Sequence, residues 1–278
     1  MVETDARAAN RERWQGRSEV WRRFTSDGPP RPDTTSLALM DAVGAAPGRR
    51  ILDLASGTGD PAIPLAERVA PGGLAVASDQ SAAMLTGARD RTKAAKASPV
   101  FVVATMEELP FAERSFDGAT CRFCIMFPPD RIAAAAEARR VLKPGARAAY
   151  AVWGQIADNA TFALTRRVLL EFSNGAVGQE EPQRHALATP GTLAAILTAA
   201  GFAGAEEREL RADNEVPAAR PPWRRAIEGE NAAWSRGLDD AARAALIARM
   251  VEAFAPYRVG DGWRLPMHVR LGIGTAPV

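Results

Sequence analysis

Between residues 50 and 153 short apolar runs alternate with helical segments at a regular spacing, and this alternation limits the fold more than any other feature. The spacing predicts strands at Arg50–Ala55, Leu74–Ser78, Pro99–Ala104, Phe116–Phe123 and Ala146–Trp153. It predicts helices at Asp60–Val69, Ser81–Lys96 and Arg131–Leu142, with Pro71-Gly72-Gly73 and Lys143-Pro144-Gly145 as turns. Strand–helix–strand units of this length require crossovers, and crossovers give a parallel, doubly wound sheet.

The flanks read differently. A helix is expected from Asp5 to Phe24, with Trp14, Ser18, Trp21 and Phe24 on one face and arginines on the others. Gly28, Pro29, Pro30 and Pro32 break it, and Asp33 caps a second helix running to Val43. After residue 153 the pattern predicts helices at Thr161–Phe172, Thr192–Ala200, Trp223–Glu230 and Asp239–Phe254, with strands at Glu206–Arg211 and His268–Gly274. The expected architecture is a seven-stranded, mostly parallel α/β sheet of Rossmann-like form. Residues 1–46 would form a helical lid and residues 47–278 the ligand-binding domain, carrying a helical cap insertion over about 213–262.

Charge argues against a polyanionic partner. The 278 residues carry a net charge of only +2, and no basic stripe tracks a phosphate backbone, so nucleic acid is not expected. Three of the 35 basic residues are lysines (Lys93, Lys96 and Lys143), so an isolated arginine says little. No apolar run approaches the length of a bilayer span, and the charged N-terminus lacks a signal core. A cytoplasmic protein without stable membrane insertion is expected, and a homodimer is left open.

The chemistry concentrates at Leu52-Asp53-Leu54-Ala55-Ser56-Gly57-Thr58-Gly59, where an apolar strand runs through small residues into a helix. Gly57 and Gly59 permit a sharp turn and a close ligand, and the new helix offers free N–H groups. Gly57, Gly59 and Ala62 also fit a G-x-G-x-x-A dinucleotide pattern. Asp53 speaks against that alternative, because a carboxylate beside the turn suits an ammonium rather than a pyrophosphate. S-adenosylmethionine carries an ammonium in its amino-acid tail. Asp79, twenty residues after Gly59, stands where an acid would accept from ribose hydroxyls in either case. It could equally cap the helix that starts near Ser81.

The ordered set of motifs resembles the class I S-adenosylmethionine-dependent methyltransferases, in the branch of the ubiquinone/menaquinone-biosynthesis methyltransferases. The matching pieces are the turn just described, then Ser78-Asp79-Gln80-Ser81 with Met84-Leu85, and Glu107-Glu108-Leu109-Pro110-Phe111 with Ser115-Phe116-Asp117. Arg122-Phe123 with Met126-Phe127 and Arg140-Val141-Leu142-Lys143-Pro144-Gly145 complete the series. The resemblance implies that Ala55, Ser56, Gly57, Thr58 and Gly59 cradle the methionine part, with Asp53 behind them. It implies that Asp79 holds the ribose, that Gln80 and Met84 line the adenine pocket, and that Thr105, Met106 and Glu107 meet the adenine edge. Arg122 and Phe123 would lie beneath the sulfonium and face the substrate. Thr105 stands where many relatives have an acid, and Ala146 replaces a usual second glycine. The tyrosine/asparagine/histidine pattern of the quinone enzymes near the N-terminus is absent. The implied acceptor is therefore a small aromatic or otherwise hydrophobic metabolite, methylated on oxygen or carbon.

Methyl transfer needs a general base only when the acceptor must lose a proton. His185 and His268 are the two histidines. His185 is the candidate base, and His268 reads as structural. Trp14, Trp21 and Phe127 are candidate substrate contacts. The aromatic helix face admits core packing, a membrane surface or a lid, and the lid is the reading adopted. Cys121 and Cys124 are three apart, which on a strand puts them on opposite faces, so neither a redox pair nor a zinc site is expected. No metal is expected. The rival activities are a nicotinamide-linked oxidoreductase on the same glycine turn and a regulatory protein that binds the cofactor without catalysis.

Overall fold

The computed structural model describes residues 2–25, 32–178 and 183–278, with side chains from residue 6 onward. The expected break at Gly28, Pro29 and Pro30 lies outside the described residues. The chain forms two compact units. The first is Met1–Val152, Leu187–Leu210 and Arg270–Val278; the second is Trp153–Ala186 and Arg211–Val269.

The sheet has β1 (Arg50–Leu54), β2 (Leu74–Asp79), β3 (Val100–Val103), β4 (Phe116–Arg122), β5 (Leu142–Trp153), β6 (Ala203–Val216), β7 (Arg258–Val259) and β8 (Gly262–Thr275). The order is β3-β2-β1-β4-β5-β8-β6, with the two-residue β7 pairing beside β8. Strands β1 to β5 pair in parallel. Gly145 bonds Ala276 at one end of β5 and Gly154 bonds His268 at the other, so β8 runs antiparallel to β5. This separates the sheet from an all-parallel dinucleotide-binding order of 3-2-1-4-5-6. Seven strands form the continuous path, as the alternation predicts, and β7 is the addition.

The central strands are apolar on both faces, as a sheet covered by helices on each side requires. Ile51, Leu52 and Leu54 of β1 are fully buried, as are Ala148, Ala151 and Val152 of β5. Helix α1 is Val2–Phe24, α2 is Thr34–Ala42, α3 is Ala62–Val69, α4 is Ala82–Thr92 and α5 is Arg131–Val141. Asp33, Ser81 and Asp130 cap α2, α4 and α5 by accepting the N–H of Ser36, Met84 and Ala133. An alanine stripe (Ala134, Ala135, Ala138) is the fully buried side of α5.

Several boundaries differ from the sequence expectation. Helix α4 stops at Thr92, because the apolar pattern gives out in Lys93–Lys96 and the Lys96 N–H goes to Glu67 instead. The expected turn at Lys143-Pro144-Gly145 is a bulge inside β5. Phe116 pairs with Leu142 and Gly118 with Arg147, and Gly145 takes a φ of 77° to absorb the extra residues. Strands β6 and β8 are longer than their apolar signal. The outer β6 alternates charges, and Arg270 of β8 bonds Glu207 and Glu209 of β6.

The second unit contains α6 (Ala160–Phe172), α8 (Ala232–Arg236) and α9 (Asp240–Phe254); α7 (Thr192–Ala199) belongs to the first. Trp223, Phe254 and Trp263 stack in its core with ring centroids 5.2 Å apart, beside Val168, Leu169, Leu246 and Met250. The expected helix at Trp223–Glu230 is a wide π-type turn at Ala226–Glu230, closed when Asn231 bonds the Ala226 carbonyl through both its backbone and its side chain.

Candidate functional site

The glycine-rich turn begins where β1 ends. Ala55, Gly57 and Gly59 all take left-handed backbone, with φ of 49°, 52° and 101°. Ser56 donates its N–H to the Ser78 carbonyl, and Gly59 donates to Ser56, which ties the turn to β2 and closes it on itself. The two glycines serve different ends. A Cβ on Gly59 would stand 2.6 Å from Ile63 Cδ1, whereas one on Gly57 would meet nothing within 4 Å. Gly59 thus lets α3 pack, and Gly57 keeps the outer side of the turn clear. Gly59→Ala is expected to destabilise the protein, by a clash added to left-handed strain of roughly 1–2 kcal/mol. Gly57→Ala bears mainly the strain and should lose cofactor binding instead. Thermal melts paired with calorimetry separate the two; equal melting losses with cofactor binding intact would count against this division.

Asp79 closes the next strand. Its Oδ2 accepts the Gly57 N–H at 2.9 Å and its Oδ1 the Ser81 N–H at 2.8 Å. It therefore locks the first turn to the start of α4, while Ser81 supplies the helix cap. Burial pushes its carboxyl up to about 6, against the pull of those two N–H groups. Asp53 is 1 % exposed. Its Oδ1 accepts from the Thr120 hydroxyl at 2.7 Å, and its Oδ2 is buried without a hydrogen-bond partner. Burial pushes its carboxyl up to about 8; the Thr120 hydroxyl, the Arg122 charge and a weak pull from the Ala62 amide, short of hydrogen-bond geometry, oppose this. Ser56 Oγ is also buried without a partner.

The other expected contacts lie within the first unit, in α4 and after the ends of β2 and β3, where Ala104 donates its N–H to the Asp79 carbonyl. Met84 and Met106 are buried, and Gln80, Thr105 and Glu107 are half-buried. Thr105 bridges Glu108 through its backbone, and Glu107 Oε1 is buried without a partner, its carboxyl raised by burial. Thr58 is held from outside: Arg91 donates to its carbonyl at 2.7 Å and to Asp60 at 3.0 Å, and its hydroxyl lies 3.0 Å from that of Thr25. Phe123 takes a φ of 56° and donates its N–H to Ala151. Arg122 bonds Asp33 and lies 4.9 Å over the Phe123 ring.

That left-handed residue ends β4, so Cys124 lies beyond the strand and the opposite-face argument does not apply to the two cysteines. Both are free, and burial raises both thiols, Cys121 to about 12. Among the described residues, no group of three His, Cys, Asp or Glu is placed to hold a metal.

Trp14 of α1 packs edge-on to Phe127 at 4.9 Å, and Trp21 is 6.5 Å from Trp14. Helix α1 lies against α4, where a Cβ on Gly87 would meet Arg22 at 2.9 Å. Among the described residues, no helix is long and apolar enough to cross a membrane.

The two histidines belong to the second unit. His185 Nδ1 is 2.7 Å from the Gly154 carbonyl, and its ring is edge-on to Phe162 at 5.4 Å. A carbonyl only accepts, so Nδ1 carries the proton and Nε2 the lone pair of the neutral ring. His268 is buried, with Nδ1 3.1 Å from Asp158 Oδ2 but off hydrogen-bond alignment, and Asn159 bonds its backbone at both N–H and carbonyl. That is a structural setting.

Sequence reasoning missed Thr120, Arg91 and Thr25, and it read Asp33 as a helix cap without its contact to Arg122. Thr120 had a usable signal, since a parallel β1–β4 pairing puts it opposite Asp53. Arg91 had none, being one arginine among many.

Residues 51–145 match the family model described as a methyltransferase domain. The ubiquinone/menaquinone biosynthesis C-methyltransferase UbiE of Vibrio cholerae is 36% identical over 134 residues, covering 48% of this chain and 46% of that protein. UbiE of Xanthomonas campestris is 44% identical over 104 residues, covering 37% and 41%. The chain thus spans about half the length of the curated relatives it matches. A phosphoethanolamine N-methyltransferase 2 of Haemonchus contortus, solved with S-adenosyl-L-methionine, superposes with a TM-score of 0.56 at 19% identity, over 94% of this chain and 57% of that one.

Residues 51–145 thus match a methyltransferase domain, within a fold shared with solved methyltransferases. Over about half of its length the chain is similar to UbiE.

Proposed function

We propose that the protein transfers a methyl group from S-adenosylmethionine to oxygen or carbon of a small aromatic or hydrophobic metabolite. The observation that carries this reading is the Asp79–Gly57 link, which sets an acid and a clear left-handed turn side by side. The residues present fit the cofactor. Asp53 Oδ2 and Ser56 Oγ are buried polar atoms in need of partners, and the outer side of Gly57 is clear. When bound, the cofactor supplies a methyl already activated by a sulfonium. The chain would hold the ribose at Asp79, the amino-acid tail at Asp53 and the 55–59 turn, and the adenine near Gln80, Met84, Thr105, Met106 and Glu107. Phe123 would face the acceptor side, and Arg122 the cofactor. Orientation and exclusion of water are then the main tasks, worth about 7–11 kcal/mol in well-aligned cases.

Helix α1 would act as the cover. Support comes from Thr25 against Thr58, which brings the C-terminal end of α1 to the glycine turn, and from Trp14 against Phe127, which brings its middle beside the segment after β4. Trp14, Trp21 and Phe127 would offer the acceptor an aromatic surface. The second unit lies outside the matched residues 51–145, and acceptor choice would reside there. The UbiE relatives suggest a C-methylated quinone precursor, and the missing N-terminal pattern argues for a different ring.

His185 would serve as base at Nε2 for a hydroxyl acceptor, with Gly154 fixing the tautomer. The test is transfer of label from methyl-labelled cofactor to a panel of phenols and quinols, with S-adenosylhomocysteine formed in equal amount. With an accepted phenol, His185→Gln should lower kcat by about 10²–10⁴-fold and spare cofactor affinity. Unchanged turnover would remove His185 from the chemistry, and label reaching none of the panel would remove the acceptor class.

A further inference from the structure

Resting on the cofactor reading above, we propose that Arg122, with Ser56, holds the α-carboxylate of the cofactor's methionine part and so fixes which way that tail points. Strands β1 and β4 run in parallel with Asp53 opposite Thr120 and Leu54 opposite Cys121. Residues two apart on a strand share a face, so Arg122 rises from the face that carries Thr120, whose hydroxyl bonds Asp53. Arg122 thus closes β4 on that face, and its charge acts on Asp53.

Buried polar atoms without a partner are rare, and three lie on or just after the carboxyl ends of the paired strands β1 and β4: Asp53 Oδ2, Ser56 Oγ and Arg122 Nε. Once ionised the carboxylate only accepts, the guanidinium nitrogen only donates and the hydroxyl does either. That set complements a zwitterionic amino acid, with the acceptor for the ammonium and the donors for the carboxylate. The guanidinium is already held, by Asp33 on one nitrogen and by the Phe123 ring below it, and a planar fork suits a carboxylate. Charge decides the direction. The tail brings a sulfonium and an ammonium, both of which repel a guanidinium, so only its carboxylate can lie against Arg122.

The test compares two ligands of the full chain by calorimetry: S-adenosylhomocysteine and its decarboxylated analogue S-adenosyl-3-thiopropylamine, which keeps the ammonium. Wild-type protein should prefer the carboxylated ligand by at least roughly tenfold. Arg122→Gln should erase that preference by weakening S-adenosylhomocysteine alone, and Arg122→Lys should keep part of it. Equal wild-type affinity for the two ligands would overturn the assignment without any variant. So would an Arg122→Gln variant that weakens both ligands alike, or neither. Wild-type protein that binds no adenosyl ligand would instead overturn the cofactor reading, and this assignment with it.

Discussion

Asp79→Ala is expected to weaken S-adenosylmethionine and S-adenosylhomocysteine by roughly 10²–10⁴-fold, from the loss of two charge-assisted hydrogen bonds to ribose at about 1.5–3 kcal/mol each. The carboxylate has a second task that adds to this loss. Its two oxygens take the N–H groups of Gly57 and Ser81, so alanine also unties the glycine turn from the start of α4. Asp79→Asn keeps one accepting oxygen but turns an amide N–H toward a backbone donor, so it should fall between the two. The carboxyl titrates near 6, and a ribose diol needs the ionised form as acceptor. Affinity should therefore drop as pH falls below about 6 and hold steady above it if this were the one titrating group. Calorimetry from pH 5 to 9 reads both effects. Asp79→Ala binding within threefold of wild type would remove the ribose assignment.

Asp53→Asn is expected to act in opposite directions on stability and on binding. Burial holds the Asp53 carboxyl near 8, so at neutral pH the ligand-free protein keeps it mostly protonated. An ammonium ligand needs the carboxylate, so binding expels a proton and affinity climbs between about pH 6 and 8, then levels off. The stability effect follows from the same shift. An unfolded aspartate titrates near 4, so between about 4 and 8 the folded chain holds a proton that the unfolded chain has lost. Ligand-free stability therefore falls as pH rises through that window. Asp79 contributes with the same sign up to about pH 6, which leaves the interval from 6 to 8 to Asp53. Asparagine carries no charge to bury, so Asp53→Asn should melt higher than wild type at pH 8 while binding more weakly and without the climb. Denaturant melts at pH 6 and 8 with paired titrations check this; a variant less stable than wild type at pH 8 would mean that Asp53 is ionised and matched in the ligand-free fold.

The cofactor half of the protein was legible because its signals are local. Gly57 and Gly59 must accept left-handed backbone, Ser81, Asp33 and Asp130 must cap helices, and the apolar runs of β1, β4 and β5 must be buried on both faces. Each of these is decided within a few residues. What stayed hidden depends on partners far along the chain. Thr120 matters because it pairs with Asp53, 67 residues away, and Asp33 because it reaches Arg122, 89 residues away. No motif beside Thr120 or Asp33 marks these contacts. Strands β6 and β8 were underestimated because cross-strand ion pairs such as Arg264–Glu215 extend them where the apolar pattern fails. The second unit combines residues 153–186 with 211–269, wider than the expected insertion at 213–262, because its core joins Val168 and Leu169 to Trp223 and Trp263. Helical periodicity reports which face is buried and not what covers it.

The central claim is that the glycine turn, Asp53 and Asp79 form a site for S-adenosylmethionine and not for a dinucleotide. Titrating the wild-type protein with S-adenosylmethionine, S-adenosylhomocysteine and NADH in one calorimetric series tests it most directly. The account predicts saturable binding of the first two in the micromolar range, about −8 kcal/mol, and no heat from NADH. Binding of NADH, or failure to bind either adenosyl ligand, would contradict it.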